Sequence, residues 1–111
     1  MTKLTEKHCK PCEGGVEPLG ADEARALLGQ LADDWEIDQS GKEIRKDFHL
    51  NGFYKTMAFA NAVAWIANKE GHHPDLEVGY RHCLVRYTTH AIGGLSENDF
   101  ICAAQIDALD A

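Results

Sequence analysis

Three histidines stand where the chain changes direction. His72 and His73 follow Gly71 and precede Pro74, and His90 comes just before Gly93-Gly94. An imidazole with an unperturbed pKa of about 6.5 is populated in both forms near neutrality. A group of them can hold an acid and a base together, which is what moving protons to one atom and from another requires. Pro74 fixes its own φ and keeps His73 out of the helical region. That stiffens the backbone that carries the rings, as positioned acid–base groups need. Zinc is the competing use, because three imidazoles serve as ligands in some hydrolytic sites. The spacing lacks the helical H-x-x-x-H pattern, and adjacent histidines rarely turn both rings to one ion, so no metal is expected.

The elements that must position these rings follow from the apolar pattern. Ala24, Leu27, Leu28 and Leu31 fall at i, i+3, i+4 and i+7, one stripe of a helix that begins near Ala21. Residues 35–37 and 44–50 read as two strands, joined into a hairpin by the turn-forming residues 38–42. Asn51 is a candidate N-cap for a long helix. Phe53, Met57, Ala60, Ala64 and Ala67 share its inner face, which Phe59, Val63 and Ile66 widen. Gly71 can close it in the left-handed conformation. Leu76, Val78 and Tyr80 then alternate with Glu77 and Gly79 as a third strand. A fourth, from about Cys83 to Thr89, turns Cys83, Val85 and Tyr87 to one side. Ser96 and Asp99 form an S-x-x-D capping box for a last helix with Cys102, Ile106 and Leu109 as its stripe. The box accounts for both residues, so Asp99 is read as structural.

The resulting order is α-β-β-α-β-β-α. It predicts an α+β two-layer sandwich: a four-stranded, largely antiparallel sheet with three helices on one face. If strands three and four are neighbours, His72, His73 and His90 converge on one pocket from the ends of their elements. Residues 21–111 would make one domain, since 111 residues suit a single core. Residues 1–20 hold two of the three prolines and little apolar pattern, and are expected to form a flexible or loosely docked arm. Cys9 and Cys12 in that arm form a C-x-x-C beside His8, a weak zinc signal because a structural site needs four ligands.

Composition narrows the partners. The hydrophobic share is 44%, the charged share 26% and the formal net charge -7. An acidic surface repels phosphate backbones, so nucleic acid is not an expected partner. The N-terminus has no apolar signal-peptide core. The apolar stretch from Met57 to Ala67 is too short for a membrane span. A cytoplasmic protein with reduced cysteines and no membrane partner is expected.

These residues together resemble a known family. The run His72-His73-Pro74, five residues, Tyr80, nine residues, His90, eight residues, Asp99 resembles the signature of pterin-4a-carbinolamine dehydratases. Thr89-His90 followed by Gly94-Leu95-Ser96 is similar to that family's T-H…G-L-S segment, and the stretch from Phe48 to Phe53 and the helix after it are also similar. The resemblance covers roughly residues 20–110. One position departs: where the family often has a charged residue four before the first histidine, Asn68 stands here, and the nearest acid is Glu70.

The resemblance implies a hydro-lyase. Such an enzyme removes water from the 4a-hydroxytetrahydropterin left by aromatic amino acid hydroxylases and returns quinonoid dihydropterin for cofactor recycling. It implies no bound cofactor, and a homodimer or homotetramer with the sheet extended across a dimer. Some members also help a transcription factor dimerise. It assigns His72, His73 and His90 as catalytic, and the same three with Pro74 and Thr89 as contacts to the pterin. Within that set, His72 and His90 are expected to transfer protons, and the proline-restrained His73 to orient the ring. The competing readings are a non-catalytic dimerisation or scaffold protein of the same fold, and a small zinc protein.

Overall fold

The computed structural model describes residues 3–10 and 16–109. Its elements are α1 (Ala21–Leu28), β1 (Glu36–Ile37), β2 (Ile44–His49), α2 (Phe53–Glu70), β3 (Asp75–Val78), β4 (His82–Tyr87) and α3 (Glu97–Asp107). Single 3-10 turns lie at Leu4–Glu6 and His90–Ile92. All strand pairs are antiparallel, and the order across the sheet is β1-β2-β4-β3. The expected α+β order is the observed one.

The hairpin between β1 and β2 is held by Asp38, whose Oδ1 accepts from the N–H groups of Lys42 and Glu43 (3.0 and 3.2 Å). In β4, Cys83, Val85 and Tyr87 are fully buried, as their alternation predicts. They meet Ile44 from β2, Val63 and Ile66 from α2, and Phe100 and Ile101 from α3 in one core. The described part of the N-terminal arm is packed rather than free. Leu4 belongs to the same core, and its turn lies against α3.

Three local expectations are corrected. The inner face of α2 is Thr56, Phe59, Ala60, Val63, Ile66 and Ala67, whereas Phe53 and Ala64 are exposed. The larger side chains at 59, 63 and 66 bury more area than the alanine row and rotate the helix toward themselves. Asn51 is not the cap. Gly52, at φ 120°, occupies that position without a side-chain bond, and the buried Thr56 hydroxyl donates back to its carbonyl (2.8 Å). The third strand ends at Val78, so Tyr80 lies outside it, and Leu76, Val78 and Tyr80 are 36%, 39% and 65% exposed. Leu76 and Val78 sit opposite Val85 and Cys83, on the helix-facing side, but β3 is an edge strand.

No helix among the described residues is long and apolar enough to cross a membrane. The core placement predicts that Phe100→Ala loses about 3–5 kcal/mol of stability. Tyr54→Ala, at a site 92% exposed, should stay within about 0.5 kcal/mol of the parent. Urea unfolding of the two variants checks this; equal losses would place the core elsewhere.

Candidate active site

The site forms where α2 ends, β4 ends and α3 begins. Gly71 terminates α2 in the left-handed conformation at φ 65°, and its N–H bonds the Ala67 carbonyl. The N–H of His72 reaches the same carbonyl at 3.1 Å. This closure of the helix end fixes the His72 backbone. The His72 ring stacks on Tyr87 of β4, with centroids 5.4 Å apart and planes 10° from parallel. Its Nε2 donates to Asp99 Oδ1 at 2.6 Å.

Asp99 is fully buried, so its charge needs complete satisfaction. The other oxygen, Oδ2, accepts from the Ser96 N–H and from the Thr89 hydroxyl, both at 2.9 Å. The predicted capping box is present at Ser96 and Asp99. Asp99 therefore does two things with one side chain: it caps α3 and holds an imidazole. Burial by itself lowers the pKa of His72, but the hydrogen bond and charge of Asp99 outweigh it, so the net shift is upward. The shift favours the protonated form of the imidazole.

Glu70, the acid nearest the departing position 68, has a different task. Its side chain is only 2% exposed. It accepts from the Cys9 N–H (2.7 Å), His8 Nδ1 (3.1 Å) and Gln105 Nε2 (3.1 Å). Burial opposes ionisation there, but these three bonds prevail and pull its pKa to about 2. Glu70 thus anchors the N-terminal arm, and Asp99 is the carboxylate of His72. Lys10 is held beside Cys9 by Asn98, which accepts from the Lys10 N–H (3.0 Å) and donates to its carbonyl (2.6 Å). The arm forms one wall of a cleft of about 380 Å³, lined by Cys9, Lys10, Glu70, His72, Ala91 and Asn98. That volume is within the range of small-molecule sites.

Of the residues singled out in the sequence, His72, Thr89, Ser96 and Asp99 are joined in one hydrogen-bonded group. Thr89 is buried, with its hydroxyl on Asp99 and on Ser96 Oγ (2.8 Å). His73 is exposed in the short link before β3, followed by the half-buried Pro74. His90 is exposed in the turn whose next residue, Ala91, lines the cleft. Neither the Tyr87 stacking nor the arm as a wall is legible from local pattern, because both are contacts between distant segments. Among the described residues no three His, Cys, Asp or Glu side chains are grouped to hold a metal ion. Cys12 lies outside the described residues.

The His72–Asp99 pair makes stability depend on pH. A folded pKa above the unfolded value stabilises fully below about pH 6.5, and that contribution is lost as pH rises through the folded pKa. NMR titration of the His72 ring should give a midpoint above 6.5, and Asp99→Asn should lower it and flatten the alkaline loss of stability. A midpoint unchanged by that substitution would show that Asp99 does not hold the charge.

Comparison with known proteins agrees with this architecture. Residues 17–109 match the family model described as pterin 4 alpha carbinolamine dehydratase. A Nitrosospira multiformis protein provisionally named as such a dehydratase is 60% identical over 106 residues, which cover 96% of this chain and 91% of that protein. A Legionella pneumophila protein with the same provisional name is 53% identical over 96% of this chain and 94% of its own length. Among solved structures, a transcriptional coactivator/pterin dehydratase from Brucella melitensis superposes with a TM-score of 0.78 at 27% identity, over 83% of this chain and 97% of that one. A pterin dehydratase-like protein identified as a RuBisCO assembly factor shares the fold, with a TM-score of 0.59 at 22% identity, over 68% of this chain and 87% of that one. With the match running from the end of the arm through α3, and with relatives this similar over nearly their whole length, the chain belongs to the pterin 4 alpha carbinolamine dehydratase family.

Proposed function

We propose that this protein is an active dehydratase, converting a 4a-hydroxytetrahydropterin to quinonoid dihydropterin and water. The observation that carries this is the His72 ring, fixed by Asp99 at 2.6 Å and by Tyr87 stacking at the edge of the cleft, with its pKa shifted upward. Hydroxide is a poor leaving group. A protonated imidazole donates to it as the C4a–O bond breaks, and the oxygen departs as water. The ring N–H proton passes to a neutral base, and the electron pair left behind forms the new double bond. Each such transfer contributes about 10²–10⁴-fold. In this reading His72 is the acid and His90 its partner in proton transfer. His73 and Pro74 hold the edge of the pterin. Thr89 acts through Asp99 as a positioning residue, and its place at the substrate edge would be through backbone.

The reaction needs no resident cofactor, and its product suits recycling of the pterin that an aromatic amino acid hydroxylase consumes. A cytoplasmic setting fits this role. The exposed Leu76 and Val78 on edge strand β3 favour a homodimer or larger assembly, since an unprotected edge invites pairing.

Steady-state kinetics with a 4a-hydroxytetrahydropterin tests the assignment. His72→Ala and His90→Ala should each lower kcat at least about tenfold, whereas His73→Ala should raise KM with kcat nearly kept. Because the acid must be protonated, kcat/KM should fall on the alkaline side, and Asp99→Asn should move that limb to lower pH. Turnover by the parent protein no faster than the uncatalysed rate would instead support a scaffold of the same fold. Sedimentation at micromolar concentration should show a dimer or larger, and a monomer alone would overturn the assembly.

A further inference from the structure

We propose that Cys9 and Cys102 are a modification site: they form a reversible disulfide that fastens the N-terminal arm to α3 beside the His72 cleft. The two sulfurs lie 3.5 Å apart although 93 positions separate them in sequence. A bond of about 2.05 Å requires closure by about 1.5 Å. The approach is built into the fold. Glu70 holds the Cys9 N–H at 2.7 Å, Asn98 clasps Lys10 from both sides, and Leu4 is sunk in the core. The arm is therefore fixed on both sides of the Cys9 thiol, and Cys102 is fixed within α3. Cys83, buried in β4, has no sulfur beside it among the described residues and is an internal control.

The two sulfurs divide the chemistry between them. The hydrogen bond with Cys9 lowers the pKa of Cys102 against burial, helped by the charge of His72. The same contact, with burial, raises that of Cys9. The shared contact favours the thiolate at Cys102 and the thiol at Cys9, while Cys9 lines the cleft and Cys102 is fully buried. A hydroperoxide supplies the oxidising equivalents. Cys9 sulfur attacks the peroxide oxygen, the O–O bond breaks, and a sulfenic acid and water result. Cys102 thiolate then attacks the Cys9 sulfur, the S–S bond forms, and hydroxide leaves to take up the proton that Cys102 released. In sum two thiols and one hydrogen peroxide give one disulfide and two waters. The raised pKa of Cys9 makes the first step slow, as thiolate is the reactive form.

Hydrogen peroxide treatment of the full folded chain, followed by non-reducing peptide mapping, tests the site. The expected product is a Cys9–Cys102 peptide two hydrogens lighter, with two of the four thiols lost and Cys83 unmodified. Closing so long a loop should raise Tm by about 5 °C or more, and dithiothreitol should reverse every change. Cys12→Ser should keep the linkage and Cys9→Ser should abolish it. A bridge from Cys9 to Cys12, sulfinic acid at Cys9, or four thiols still free would each overturn the proposal. The readout is mass, with no pterin present, so it stands or falls separately from the dehydratase reading.

Discussion

The site depends on one enclosed carboxylate. Asp99 accepts from the N-cap of α3 through Ser96, from just beyond β4 through Thr89, and from just beyond α2 through His72. A buried anion is tolerated only when its oxygens are satisfied, so these three donors must arrive together. The constraint runs in both directions. The fold secures the ion pair, and the ion pair fixes where three elements meet.

The rest of the molecule supplies the rigidity that this meeting point needs. β2 and β4 are the central strands, and the fully buried face of β4 carries Tyr87 to the position under the His72 ring. The length of α2 and its closure at Gly71 bring His72 to the same place from the other side. The arm closes the cleft by hydrogen bonds to Glu70 and Asn98, side chains on α2 and α3. Site and fold are coupled here, because the carboxylate that holds His72 also caps α3.

The fold was largely legible because its signals are local. Alternation in β4, the turn residues at 38–42 and the capping box at Ser96 and Asp99 are all read within a few positions. The faces of α2 and β3 were harder to read. Periodicity finds an apolar stripe but does not weigh a phenylalanine against an alanine, and it does not reveal that a strand is at the edge. In the site, the histidines were visible as residue types at element ends. The identity of the carboxylate partner was not, because the capping box was already a sufficient reason for Asp99. Glu70 was the nearer acid in sequence, yet its oxygens go to the arm. Proximity along the chain was a poor guide where three segments cross.

The two helix ends at the site give it a direction. His72 follows the C-terminus of α2, where the peptide dipoles concentrate partial negative charge, and Asp99 lies in the first turn of α3, where they concentrate positive charge. Each member of the pair thus sits in a favourable field that its partner does not create. The arrangement is polar in the sense of a battery with fixed terminals. Exchanging the two residues would keep a cation facing an anion but set each against the wrong terminal, at about 0.3–1 kcal/mol per end, and would remove the cap of α3. The imidazole is bound to the end of α2, and the scaffold allows it no mirror-image alternative.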